Sequence, residues 1–405
     1  MGFRQFVAFV AAVMATNALA IDTMLPALPV IGHALGIVAE NDRQWIVTAY
    51  LLGFGGAQIF YGTLADRYGR RPVLLAALGI YALFSAVAGF AGSFGVMLAA
   101  RALQGVGAAG TRVLAVSIIR DRYAGRQMAR VMSLAFIVFL AAPIAAPSLG
   151  QLIMLVAPWH AIFFALALFG AIMAAWGALR LRETLHEADR LPIVPARVLG
   201  AFRIALTQRK AVGYMFANTV MLGGLFGYIN SVQQIFDDVF HAAALFPLVF
   251  GLTALAMAAS SLINSRIVGR LGMHRVSHWA LLGYVLVSAV HAGIACSGHE
   301  SLWTFALCQS SMMFCFGLVA PNFNALAMES VGHIAGTASS VQGFVTTVGG
   351  ASLGFLIGQQ FDGSAIPMTL GFVILGAGAI VIVTITEHGR LFRSTPPEPV
   401  RPAAA

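Results

Sequence analysis

The chain is poor in charge. Only 10% of its 405 residues are Asp, Glu, Lys or Arg, against about 25% in a soluble globular protein. It holds one lysine, Lys210, set between Arg209 and Ala211. A phosphate-binding loop needs Gly-Lys-Ser/Thr, so the sequence offers no site for ATP-driven work. Cysteine is scarce too. Cys296, Cys308 and Cys315 are odd in number and lie in apolar stretches, which argues for free thiols in helices and against a disulfide framework. There is no His-Glu-x-x-His string and no clustered His/Asp set, so an integral-membrane enzyme finds no support. Period-two alternation of apolar residues is missing, which excludes a membrane barrel built of strands.

What the chain has is apolar length. Residues of the hydrophobic types make up 59%, and the mean hydropathy is +0.86. Twelve runs stand out, at roughly 5–30, 44–65, 72–92, 94–118, 128–156, 159–180, 211–236, 243–267, 275–297, 301–327, 336–360 and 365–386. Each can cross a hydrocarbon core of about 30 Å as a helix rising 1.5 Å per residue. Lipid offers backbone groups no partner, so helices are expected. The excess of 24 Arg/Lys over 15 Asp/Glu is not a nucleic-acid signal, because the basic residues cluster in alternate connections. Arg67, Arg70 and Arg71 follow the second run, and Arg120, Arg122, Arg126 and Arg130 the fourth. Seven more basic residues crowd 180–210, and Arg266, Arg270 and Arg275 lie between the eighth and ninth runs. The other side has Arg43 and the acids Glu40, Asp42, Asp237, Asp238, Glu300 and Asp362. The positive-inside rule then predicts a cytoplasmic arginine-rich side with both termini on it.

The expected organisation is a six-helix half over 1–180, a cytoplasmic linker over 181–210, a second six-helix half over 211–388 and an unstructured cytoplasmic tail over 389–405. A weak repeat supports two halves: "DRYGRR" (66–71) follows the second run and "GRLGMH" (269–274) the eighth. Two halves with a site between them at the midplane is a transporter plan. A cleavable signal peptide ending at Ala20 is the alternative for the first run, but it would leave eleven runs and spoil the parity. Two other strings carry little. "GVGAAG" (105–110) matches a dinucleotide fingerprint but follows no strand, and small residues in an apolar helix serve close packing. His274 and His278 have metal-ligand spacing with no acidic or cysteine partner nearby in sequence, so no metal site is expected.

The residues that invite a functional reading are few. In "GTLADRYGRRPVLL" (62–75), Gly62 and Gly69 permit a tight turn. Asp66, Arg67, Arg70 and Arg71 supply charges for a conformational-switch loop, with Asp121 as a partner for Arg70 or Arg71. On the fourth run, Arg101 and Arg112 are eleven residues apart, so they share a face about 16 Å apart. A charge in lipid is expensive, so that face should look inward. Asp22, in "AIDTMLPALP" (20–29), lies at a depth similar to Arg101. The two form a candidate proton-coupling pair, in contact or through water, with the carboxylate's affinity for a proton pulled both ways by burial and by the guanidinium. Pro143, Pro147 and Gly150 occupy one side of the fifth run and predict a bent helix at an interface. Tyr50, Gln58, Gln104, Arg112, Asn230, Gln233 and Gln309 are candidates for a substrate cavity.

"G-x-L-A-D-R-Y-G-R-R-P" resembles the loop signature of the major facilitator superfamily. "LPALP", "RALQGVGAAGTR", "IRD" and "PIAAPSLGQ" resemble the Bcr/CflA branch of drug:proton antiporters, in the right order along the whole chain. In the second half Gly269 stands where the signature has Asp. The resemblance implies a twelve-helix all-α transporter of the bacterial inner membrane. It implies export of small, mostly apolar drugs in exchange for protons, with the proton gradient as energy source and no cofactor, nucleic acid or second subunit. Transport of one specific metabolite, in either direction, fits the same residues.

Overall fold

The computed structural model describes all residues except 124, 191–199, 201–205, 332–334 and 393–405, and omits the side chains of 125, 126, 129, 133, 136–138, 140 and 335–337. Arg126, the middle of the expected linker and most of the expected tail therefore lie outside the described residues.

Among the described residues the chain forms twelve long helices and no strand. They are α1 (Phe3–Asp22), α2 (Trp45–Tyr68), α3 (Arg70–Gly89), α4 (Phe94–Arg122), α5 (Gly125–Val156) and α6 (His160–Arg180), then α7 (Arg209–Gln234), α8 (Phe246–Leu271), α9 (Met273–Cys296), α10 (Leu302–Glu329), α11 (Ala335–Gly358) and α12 (Ile366–Thr386). Ten of them, all but α2 and α5, are long and apolar enough to cross a membrane. Helix α5 contributes a shorter apolar stretch, Ala141–Val156. Helix α2 falls short because Gly53, Gly55, Gly56, Gln58 and Thr63 dilute its apolar content. The first run is not one continuous helix to residue 30. Pro26 cannot donate to the carbonyl of Asp22, so α1 stops there, a single tight turn covers Leu25–Ala27, and a short helix resumes at Leu28–Ala34.

The two sets of six helices echo each other. The α2–α3 corner turns on Gly69 at φ +97°, and the α8–α9 corner on Gly272 at φ +82°. Only glycine adopts that region without strain. Each fourth helix starts on a serine cap, Ser93 for α4 and Ser301 for α10, whose side chain accepts from the backbone N–H three residues on. The halves meet along α2 against α11 and α5 against α8. At the arginine-poor end the seam is a lattice of carboxamides. Gln44 Nε2 donates to Gln234 Oε1 at 2.6 Å and to the Gly358 carbonyl at 2.9 Å, and Asn41 Nδ2 donates to the carbonyls of Gln359 and Phe361. Trp45 packs on Phe355 with ring centroids 4.1 Å apart.

Glycine decides how close α4 comes to its neighbours. A side chain at Gly105 would overlap the carbonyl oxygen of Tyr50, one at Gly53 the carbonyl of Ala102, and one at Gly107 the backbone of Tyr81. Backbones in contact gain dispersion that larger residues would block. This accounts for "GVGAAG" as a packing string. Gly105→Val should force α2 and α4 apart and abolish monodisperse protein on size exclusion in detergent. Wild-type yield and elution of that variant would show the contact to be dispensable.

Candidate functional site

The interior polar layer begins with Arg101, which is fully buried. It finds no carboxylate. Its Nε donates to the Ile46 carbonyl at 3.2 Å, and its Nη1 donates to the Ala20 carbonyl at 3.1 Å and to Gln104 Oε1 at 2.5 Å. The guanidinium lies 4.5 Å from the centroid of the Tyr50 ring. Gln104 passes the network on, donating to Ser85 Oγ at 2.7 Å. Gln104 is thus a packing residue, not a free wall of a cavity.

Asp22 is also buried, 5% exposed. The expected direct pair with Arg101 does not form, because the guanidinium is turned to the Ala20 and Ile46 carbonyls. Asp22 makes no hydrogen bond or ion pair with any described residue. It sits within electrostatic reach of Tyr50 on α2 and of Tyr228 on α7, so it faces both halves. Tyr50 donates to Asn17 Oδ1 at 3.0 Å, and the Tyr228 hydroxyl lies 3.2 Å from Thr253 Oγ1. Depth alone had matched Asp22 to Arg101. The side-chain directions, set by the helix break after Asp22, could not be read from spacing.

The other expected cavity residues divide. Gln58 is buried and donates across the seam to Thr347 Oγ1 on α11 at 3.1 Å. Gln233 lines an outer cleft of about 310 Å³ with Pro26, Gln151, Met154, Leu155 and Phe246. Asn230 and Gln309 are buried with both side-chain polar atoms unpartnered, and Gln233 Oε1 is unpartnered too. A buried carboxamide left without partners costs about 1–3 kcal/mol per group, which fits a site completed by water or ligand. Arg112 is exposed, with its guanidinium 5.9 Å from the Phe54 ring centroid.

At the arginine-rich end, Arg70 donates to Asp66 Oδ1 at 2.7 Å and to Asp121 Oδ2 at 3.0 Å, joining α2, α3 and α4. Arg71 does not share Asp121; its Nη2 donates to the Ala178 carbonyl. Glu183, which the sequence reading passed over, accepts from the backbone N–H groups of Arg70 and Arg71 at 2.9 and 3.2 Å. It caps α3 from beyond α6, and a side chain at Gly69 would press on it. Arg67 is exposed, and Gly62 faces Ser340 of α11. On α5, Gly150 packs on the Thr23 carbonyl at the break in α1, while Ile144, between Pro143 and Pro147, meets Gly251 of α8. The proline pair therefore lies between one contact inside its own half and one across the seam.

His274 does meet a carboxylate, and His278 is linked to it through a tyrosine hydroxyl, which spacing could not show because the carboxylate arrives from the far end of α12. Glu387 Oε1 accepts from the Tyr214 hydroxyl at 2.7 Å and lies 3.4 Å from His274 Nε2, and His278 Nε2 lies 3.2 Å from the same hydroxyl. No His/Cys/Asp/Glu group among the described residues has the geometry to hold a metal. Gly350-Ala351-Ser352-Leu353-Gly354 is a literal nucleophile-elbow string, but it lies within α11 and Ser352 donates to the Val348 carbonyl of its own helix.

A sequence profile for the Major Facilitator Superfamily matches residues 10–354. The MFS-type transporter YdgK of Bacillus subtilis is 30% identical over 91% of this chain and 92% of its own length. The bicyclomycin resistance protein homolog of Haemophilus influenzae is 28% identical over 91% of each chain. Multidrug resistance protein D of Escherichia coli is 26% identical over 91% of this chain and 92% of its own. Among solved structures, the human organic anion transporter MFSD10 superposes with a TM-score of 0.71 at 20% identity, covering 95% of this chain and all of that one, which shows a shared fold. With twelve long helices in two echoing sets, a profile match over most of its length and relatives aligned nearly end to end, the chain belongs to the major facilitator superfamily and is a multi-pass membrane transporter.

Proposed function

We propose that the protein exports small, mostly apolar drugs across the bacterial inner membrane in exchange for protons, with its arginine-rich end in the cytoplasm. One observation carries the coupling part: Asp22, an interior carboxylate with no partner among the described residues, lies between the halves at a helix break. An unpaired buried carboxylate is far costlier charged than neutral. It therefore favours a proton when sealed in and releases one when water reaches it. Rocking of the halves about the interior layer would alternate that access between the two sides. Arg101 acts on this step through α1: it holds the Ala20 carbonyl, two residues before Asp22, and so fixes where the break lies. A potential of about 100 mV supplies about 2.3 kcal/mol per proton, enough for about a fifty-fold gradient of a neutral drug. The names of the Haemophilus and Escherichia relatives support drugs as cargo. The bonds of Arg70 to Asp66 and Asp121 lock three helices of one half into a body that can rock as a unit.

Drug-induced proton release from purified protein should be lost in Asp22→Asn, which keeps the shape and removes the titrating group, and partly retained in Asp22→Glu. Arg101→Lys should transport worse than charge alone implies, because lysine cannot hold the Ile46, Ala20 and Gln104 acceptors with one planar fork. Equal proton release from wild type and Asp22→Asn would remove Asp22 from the coupling step.

The Asp66 side chain is 42% exposed, so Asp66→Asn should cost at most about 1 kcal/mol of stability. It should nonetheless slow transport at least several-fold at equal expression; unchanged transport would reduce the loop to a topology signal. Reporter fusions at both termini should read cytoplasmic, and a periplasmic signal from either would reverse the proposed orientation.

A further inference from the structure

The first half is fastened at its arginine-rich end by charge, and the second half lacks those charges in the matching places. Three residues before the corner glycine stand Asp66 in the first half and Gly269 in the second; one residue after it stand Arg70 and Met273. The bonds that Arg70 makes to Asp66 and Asp121 cannot be repeated from these positions of the α8–α9 corner. A different device occupies the same place. In each half a glutamate just past the sixth helix returns to the first turn of the third. Glu183 follows α6 by three residues and accepts from the N–H groups of Arg70 and Arg71. Glu387 follows α12 directly, is 2% exposed, and lies 3.4 Å from Nε2 of His274, the second residue of α9.

Glu387 ends a relay whose proton order the geometry fixes. The backbone N–H of Phe392 donates to His278 Nδ1 at 3.0 Å. A ring nitrogen that accepts carries no proton, so the neutral imidazole holds its proton on Nε2. That nitrogen lies 3.2 Å from the Tyr214 hydroxyl and donates to it, and the hydroxyl donates to Glu387 Oε1 at 2.7 Å. The three bonds run in one direction and polarise one another. They join the arginine-rich ends of α7, α9 and α12. The stretch after α12 is bent to reach this place. His388 and Phe392 hold φ of +52° and +67°, a region that costs a non-glycine residue energy and persists where its surroundings impose it. Here the Phe392 ring packs on Trp279 with centroids 4.8 Å apart, and the Gly389 N–H donates to the Thr384 carbonyl at 2.9 Å. Arg209, at the start of α7, donates to the Ile385 carbonyl.

We propose that Tyr214, His278 and Glu387 are positioning residues for transport: their relay fastens α7, α9 and α12 into the second rocking body, as Arg70 fastens α2, α3 and α4 into the first. This rests on the export reading above and adds the residues that make the second half move as a unit. Where the first half uses ion pairs, the second uses hydrogen-bond order. Tyr214 is the central link, because its one oxygen accepts from α9 and donates to the residue after α12. The charge of Glu387 is not what the relay needs from it. An amide oxygen in the same position accepts from the hydroxyl as well.

The test compares purified full-length wild type, Tyr214→Phe, Glu387→Gln and Glu387→Leu by amide hydrogen exchange and by uptake of chloramphenicol and ethidium into proteoliposomes under an imposed pH gradient. Tyr214→Phe removes one oxygen from a ring packed on Phe323 and should elute as wild type on size exclusion. In that variant exchange should rise about fivefold over 387–392 and the first turn of α9 together, the worth of one net hydrogen bond. The outer ends of the same helices should not change. Its maximal transport rate should fall at least about threefold with KM held within about twofold, since a conformational step is slowed and binding is not. Glu387→Leu should match it, and Glu387→Gln should stay near wild type in both readouts. Unchanged exchange in Tyr214→Phe, a wild-type rate despite faster exchange, or a loss in Glu387→Gln equal to that in Glu387→Leu each overturns the inference. In those cases export by the wild type still stands. If the wild type takes up neither compound, the export reading fails and this inference with it.

Discussion

A guanidinium with no access to water needs oxygens around it, and that requirement, met at Nε and Nη1 of Arg101 and unmet at Nη2, organises the first half of this protein. Arg101 draws on the end of α1 through Ala20, on the start of α2 through Ile46 and on its own helix through Gln104. Gln104 then reaches α3 through Ser85. The Tyr50 ring lies 4.5 Å beneath the charge and Phe163 of α6 lies 5.9 Å away. Five helices meet in the network of Arg101 and Gln104. The Ala20 carbonyl is available because α1 is ending, where the last carbonyls lack a helical partner, while the Ile46 carbonyl, in the first turn of α2, accepts with its second lone pair. The break at Pro26 and the buried arginine are therefore linked: the first leaves the Ala20 carbonyl free as an acceptor, and the second holds that carbonyl in place.

The same logic separates the halves of the polar interior. Where polar groups are saturated, as at Gln104, Gln58 and Arg70, the structure is fastened. Where they are not, as at Asp22, Asn230 and Gln309, the interior keeps polar groups without a protein partner among the described residues. Low dielectric surroundings sharpen the contrast, since a satisfied network rigidifies and an unsatisfied one is costly until something fills it.

Much of this was legible before any coordinates. Twelve helices follow from apolar length, the Gly69 and Gly272 corners from the repeated Arg and Gly pattern, and the Arg70 bonds from charges brought together by one tight turn. The break after Asp22 follows from proline alone. What stayed hidden required knowledge of who faces whom. Glu183 returns from beyond α6 to cap α3, and Glu387 comes from the last helix to meet His274 and Tyr214. Nothing in their local spacing marks either one. Arg101 and Asp22 share a depth, and depth suggested a pair. Yet a buried arginine is as well served by backbone carbonyls as by a carboxylate, and carbonyls leave no trace in a sequence. Gln58 and Gln104 have the composition of cavity residues and the contacts of packing residues, a distinction that only neighbours can make.

The seam at the arginine-poor end has a consequence of its own. Asn41, Gln44, Gln234 and Gln359 close it with neutral amides bonded to one another and to backbone carbonyls. None of these groups titrates, and none carries a charge that dissolved ions could screen. Each bond broken on opening is replaced by one to water, so the net cost per bond is only about 0.5–1.5 kcal/mol. Acidity and salt reach this end by another route: the carboxylates of Glu40, from one half, and of Asp238 and Asp362, from the other, line a cleft around Asn41, so the medium acts on the charges beside the latch and not on the latch itself.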